Sequence, residues 1–209
     1  MLPSGGLNAL ADHTVLAVSP LSGYRALRER WLPLSRGAMA RAALRSALFQ
    51  LFAIAVFVSL TAAGRLVAAH LLAVMAFWSF GPVLQLCTVA LVTRIAAPRE
   101  PLARTVALYF AGQGPWMFFL AVVAGMPVIA PALLTLGNVG RLLTGFFVLL
   151  GAAILWGGTL TFAFFRGGLE LPRGRASLAT VLFYLTYVSL IVGYYLTMNQ
   201  IQPQLFGTE

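Results

Sequence analysis

Five long apolar stretches divide this chain: residues 46–64, 66–93, 105–126, 142–165 and 176–198. None holds an Asp, Glu, Lys or Arg. No helix built from them could turn a charged face to water. A bilayer core about 30 Å thick is crossed by about 20 residues of helix at 1.5 Å each. In hydrocarbon the backbone must satisfy its own hydrogen bonds, and stretches of this length do so as helices rather than as ten-residue barrel strands. The expected fold is therefore an all-α integral membrane protein, a bundle of five transmembrane helices. Composition agrees, with 60% hydrophobic and 9% charged residues, where soluble domains carry about 25% charged.

The charges that remain set the orientation. All fourteen basic residues are arginines. Arg25, Arg28, Arg30, Arg36, Arg41 and Arg45 precede the first stretch. Arg94, Arg99 and Arg104 lie between the second and third, and Arg166, Arg173 and Arg175 between the fourth and fifth. The alternate connections hold only Arg65 and Arg141. Short cytoplasmic loops retain basic residues, so the N-terminus is expected inside and the C-terminus outside. All-arginine usage hints at a GC-rich bacterial genome and hence at the inner membrane. A net charge of +9 could suit nucleic acid on a solvated basic face. Here the arginines punctuate apolar runs, so the expected partners are the bilayer, its anionic head groups and other membrane proteins, not nucleic acid. No signal peptide is evident: the first twenty residues lack Arg, and Asn8, Asp12 and His13 interrupt residues 7–18. The first span must direct insertion itself.

Three regions follow: a cytoplasmic tail over 1–43, a transmembrane domain over 44–199 and a short extracytoplasmic tail over 200–209. In the first tail Leu21, Tyr24, Leu27 and Trp31 recur at helical spacing, which predicts a short N-terminal helix near 20–32 with Arg25, Arg28 and Glu29 on its other faces. Such a helix either lies in the interface of an anionic leaflet or caps the bundle by packing against it. Tyr24, Arg25, Leu27, Arg28 and Trp31 are the candidate contacts with lipid or a partner. The second stretch has Gly81-Pro82 at its middle. A kinked helix is expected, because a re-entrant hairpin would put Arg94, Arg99 and Arg104 on the side of Arg65. The apolar connection over 127–140 contains Pro127 and Pro131, and is read as an outer loop among head groups or a shallow re-entrant turn.

Reactive groups are scarce. Of the five acidic residues, Asp12, Glu29, Glu100 and Glu170 fall in cytoplasmic segments and Glu209 near the C-terminus. A carboxylate pair within the membrane is thereby excluded. His13 and His70 fall on opposite sides, Cys87 is alone, and no phosphate loop, zinc motif or nucleophile elbow is present. The reading is non-enzymatic, with no catalytic residue, cofactor or metal. His70 is either a proton-sensing or ligand-binding group or an interfacial histidine beside Arg65. Ser79 is nine residues further on, about 13 Å by helical rise, so it pairs with His70 only if the helix unwinds. Gln85, Gln113 and Asn199 are the candidate cavity-lining residues. Their ordinary alternative is a bond to a neighbouring helix worth about 1 kcal/mol. Gln113 lies in Gly112-Gln113-Gly114-Pro115, which could open the third helix locally. Tyr194 and Tyr195 suit an aromatic belt at the outer interface.

Three segments resemble the Yip family of Ypt/Rab-interacting proteins and its bacterial relatives. SPLSGYRALRERW (residues 19–31) is similar to the Ser-Pro plus aromatic-and-basic helix that precedes the first span. REPLARTVALYFAGQGPW (99–116) resembles the family's charged approach, aromatic segment and mid-span proline. ILWGGTLTFAFFRGGLELPRGRA (154–176) resembles its Trp-containing span and short basic loop. The resemblance implies five helices with a cytoplasmic N-terminus and a membrane-organising or partner-binding role, and it carries over no catalytic residue. Two other roles fit the sequence: an accessory subunit of a larger membrane complex, and a small transporter or channel for a neutral substrate.

Overall fold

The structure is a computed structural model that describes residues 15–16, 18–63, 65–113 and 139–206; the side chains of 61–63, 139, 142 and 199–206 lie outside that description. The described residues are all-helical, without strands. In chain order the elements are α1 (Pro20–Trp31), α2 (Arg36–Ala63), α3 (Ala68–Trp78), α4 (Phe80–Ala96), α5 (Leu102–Ala111), α6 (Val139–Ala163) and α7 (Arg173–Phe206). A single π-helical turn, Phe164–Gly168, extends α6.

Four stretches are long and apolar enough to cross a membrane: Arg36–Leu60, Ala68–Ala96, Leu143–Gly168 and Arg173–Met198. Between 11% and 28% of each apolar window is buried within the chain. The outward faces carry exposed Leu72, Phe77, Leu91, Phe147, Leu155, Leu185 and Leu196. An apolar surface this continuous is stable against hydrocarbon rather than water, and the chain is an integral membrane protein. The first and last crossings begin earlier than hydropathy alone places them, because Arg36–Arg45 and Arg173–Arg175 continue the helices beyond the apolar windows. The third stretch differs more. Its described helix, α5, stops at Ala111, with Gly112 and Gln113 non-helical. Its remainder and the 127–140 connection lie outside the described residues, except that Val139 and Gly140 begin α6.

The second stretch is one bent rod. α3 ends at Trp78, and Ser79 keeps right-handed helical angles (φ −59°, ψ −23°) between α3 and α4. Pro82 has no N–H for the Trp78 carbonyl four residues back, and its ring crowds that carbonyl. The break therefore falls one turn before the proline. The Ser79 hydroxyl donates to the Ala76 carbonyl at 2.7 Å. Phe80 stacks on Tyr194 of α7 at 4.4 Å and 11°, which props the bend against the last helix. α2 turns into α3 through buried Ser59, whose Oγ donates to the Arg65 carbonyl at 3.0 Å and accepts from the Val67 N–H at 3.2 Å. That one hydroxyl satisfies two backbone groups of the connection.

The described core sits toward one end of the bundle. Tyr24 and Leu27 of α1, Met39 and Ala43 of α2, Val89 and Val92 of α4, all of α5 from Val106 to Ala111, Leu160, Ala163, Phe164 and Phe165, and Ala176, Ala179 and Phe183 contribute to one buried cluster. This is the end at which α1, the α4–α5 connection and the α6–α7 connection meet. Buried Thr88 and Thr161 donate to the carbonyls of Leu84 and Gly157, one turn back in their own helices, so they add no unpaired group to it.

Candidate functional site

α1 starts with Pro20 in its first turn, where a missing N–H is harmless and the fixed φ is already helical. Its inward face carries buried Gly23, Tyr24 and Leu27. What receives that face is the π-helical turn. The Leu169 N–H reaches back to the Phe164 carbonyl at 3.0 Å, which widens the last turn of α6 and brings Gly167 and Gly168 against α1. A β-carbon on Gly167 would stand 2.7 Å from the Leu21 carbonyl oxygen. Neither backbone could approach so closely with a larger residue there. Tyr24 is 1% exposed. Its ring meets Phe164 edge-on at 5.9 Å, and its hydroxyl fills the space a β-carbon on Gly112 would occupy. Burial pushes the Tyr24 phenol well above its usual value, so it stays protonated and neutral throughout the physiological range.

Arg28 secures the next turn of α1. One guanidinium nitrogen, Nη1, donates to the Gly168 carbonyl at 2.6 Å; the other, Nη2, donates to Glu100 Oε1 at 2.7 Å and stands 3.4 Å from Glu170 Oε2. Arg104 lies 3.6 Å from the second oxygen of Glu100. Two guanidiniums and two carboxylates thus form a neutral cluster joining α1 to both connections. Glu170 adopts a left-handed conformation (φ 55°), uncommon for a residue with a side chain, where the π turn gives way to α7. Arg166 closes the same turn by donating to the Leu171 carbonyl at 2.9 Å.

Of the five residues expected to contact lipid or a partner, Tyr24, Leu27 and Arg28 are instead engaged within the chain. Trp31 is half-buried against the core, and Arg25 is exposed. The apolar stripe exists, but the bundle itself covers Tyr24 and Leu27 at its middle, while Leu21 stays exposed.

Past the Tyr24 hydroxyl lies a chamber of about 350 Å³ between α2, the α3–α4 rod, α5, α6 and α7. Gln85 and Gln113 both line it; the side chain of Asn199 lies outside the described residues. Gln50, Tyr109, Thr161, Tyr184 and Tyr187 join them, with Ile54, Leu160, Phe183 and Ile191 as the apolar wall. Counting helical rise from Arg173, the chamber begins about 15 Å into α7 and extends about 12 Å further. The Tyr109 hydroxyl interacts with Gln113 and that of Tyr187 with Gln85, and Thr161 and Tyr184 stand 3.3 Å apart. Gln85 Oε1 is buried without a hydrogen-bond partner, a desolvation cost of about 1–3 kcal/mol. Gln50 sits inside an apolar span and bears the same signal as Gln85. The four tyrosines, including Tyr24, carry no such signal, because tyrosine is as common in a core or interface as in a binding wall.

His70 and Cys87 are exposed and Ser79 is bonded to its own helix, so the structure brings none of them together. Among the described residues no group of three or more His, Cys, Asp or Glu could hold a metal ion. No protein-family model, curated protein or solved structure matches the chain.

Proposed function

We propose that this chain is a non-enzymatic, Yip-like protein of five spans, with its N-terminus in the cytoplasm of a bacterium and its C-terminus outside. In this reading it organises the inner membrane around itself or binds membrane-protein partners there, through its cytoplasmic arginine face. One observation supports it most. The charges joined at the α1 junction, part-buried Arg28, Glu100 and Arg104 with exposed Glu170, neutralise one another, whereas Arg25, Arg36, Arg41, Arg45, Arg94, Arg99, Arg173 and Arg175 are exposed without a carboxylate in that cluster. Exposed guanidiniums beside an anionic leaflet each contribute about 1 kcal/mol of attraction.

The orientation has a direct test. In a Cys87→Ala background, Arg99→Cys and Arg173→Cys should react with an impermeant maleimide from the cytoplasmic side and Arg65→Cys from the opposite side. Labelling of Arg99→Cys and Arg173→Cys from opposite sides would discard the five-span arrangement. The role of the arginine face is read separately. Protein extracted in native lipid discs from membranes of mixed composition should retain phosphatidylglycerol over phosphatidylethanolamine. The Arg41/Arg45/Arg173/Arg175→Gln variant should lose most of that enrichment, and equal lipid composition around the two would end the proposal. A second reading, a small transporter or channel for a neutral substrate, is favoured by the chamber and its amides.

A further inference from the structure

A chamber in the middle of a membrane protein is informative through what lines it. Among the described residues, all those that line this one are uncharged. No carboxylate would hold a cation or carry a proton, and no guanidinium would hold an anion. Yet the wall is far from inert. Three amides, Gln50 of α2, Gln85 of α4 and Gln113 just past α5, open into one space. Amides placed only to bind helices together would be expected to have their polar atoms satisfied across the interface. Gln113 and Gln85 each have a tyrosine hydroxyl as a neighbour, Tyr109 and Tyr187, yet Gln85 Oε1 remains a buried acceptor with no donor among the described residues. The volume of about 350 Å³ lies within the range of small-molecule sites, about 300–1,000 Å³. Apolar walls with a few convergent polar groups are the usual make-up of such sites.

From these features we infer that the chamber is a binding site for a small neutral molecule with an apolar or aromatic body and at least one hydroxyl or amide N–H, which donates to Gln85 Oε1. Phe183, Leu160, Ile54 and Ile191 take the body; the tyrosine hydroxyls and the Gln50 and Gln113 amides offer both donors and acceptors to further polar atoms. Tyr24 forms the floor, so α1 separates the ligand from the arginine-bearing end. Binding here requires no transport and does not depend on the role of the arginine face.

The test uses the full chain in lipid nanodiscs with 4-fluorophenol and its methyl ether, 4-fluoroanisole, as fluorine-NMR probes. The pair differs in the donor. After subtraction of empty nanodiscs, 4-fluorophenol should bind saturably and at least about tenfold more tightly than the ether, the difference one good hydrogen bond makes. Gln85→Leu should weaken 4-fluorophenol about tenfold and leave 4-fluoroanisole unchanged, in protein whose melting temperature is not lowered. Ile191→Trp, which fills the chamber from α7, should abolish saturable binding of both. No saturable phenol binding, equal affinity for phenol and ether, or full binding by folded Gln85→Leu or Ile191→Trp protein would each overturn the assignment. If Gln85→Leu fails to fold, the Ile191→Trp result decides alone.

Discussion

Gly112→Ala should release α1 from the bundle. The new β-carbon would overlap the Tyr24 hydroxyl, which sits at the end of a rigid ring held against Phe164. Gly112 itself has φ −89° and ψ 11°, angles that alanine adopts readily, so the whole effect comes from the collision. Overpacking of this kind costs about 1–3 kcal/mol, sometimes more, and the alternative of withdrawing Tyr24 forfeits its buried face. Trypsin reports the outcome. Cleavage after Arg25 and Arg28 in nanodiscs should accelerate at least about fivefold in the variant. Removing the hydroxyl should reverse much of this: in the Tyr24→Phe/Gly112→Ala double variant the nearest ring carbon is 3.0 Å from the added methyl, a contact small shifts can relieve. Gly167→Ala supplies the contrast. Its β-carbon meets the backbone carbonyl of Leu21, so Tyr24→Phe should not rescue it. Protection of α1 in Gly112→Ala equal to wild type would show that Tyr24 does not occupy this space.

The second large effect is expected at Arg28. Arg28→Ala leaves the Gly168 carbonyl without its donor and Glu100 with only the more distant Arg104. Breaking a fully buried pair from one side costs about 3–5 kcal/mol. Arg28 and Glu100 retain 12% and 18% side-chain exposure, so a loss of about 2–3 kcal/mol is the appropriate expectation. Arg28→Lys should recover less than half, because one ammonium cannot span both acceptors as the planar fork does. Glu170→Gln should matter far less, within about 0.5 kcal/mol, since that carboxylate is 67% exposed and 3.4 Å away. Melting of the Arg28→Ala, Glu100→Gln and double variants would measure the coupling. Additive losses would mean the two groups do not interact across α1 and the α4–α5 connection.

These predictions concern contacts between residues far apart in sequence, and that is where reading the chain alone stops. The spacing of Leu21, Tyr24, Leu27 and Trp31 identifies a helical face, but periodicity records the direction of side chains and not what covers them. The cover is Gly167 and Gly168, some 140 residues away, exposed to α1 by a π turn for which the local sequence FFRGG offers no sure sign. The bend of the second stretch was legible in Gly81-Pro82, although it falls at Ser79 because the proline's clash is with the carbonyl one turn earlier. Gln85 and Gln113 were legible as chamber residues because an amide in hydrocarbon is costly. Gln50 qualified on the same ground, while the tyrosines beside them look like any others in a membrane bundle.

By itself, then, the sequence determined the solvent and the secondary structure. Charge-free runs of helical length leave hydrocarbon as their only compatible surroundings and the helix as the way to satisfy their backbone. Only the tertiary structure decided which way α1 faces, which charges cancel and where space is left inside. Those outcomes depend on close approach and mutual fit between distant segments, such as a phenol against a glycine and a guanidinium between two connections, and no single stretch of chain encodes them.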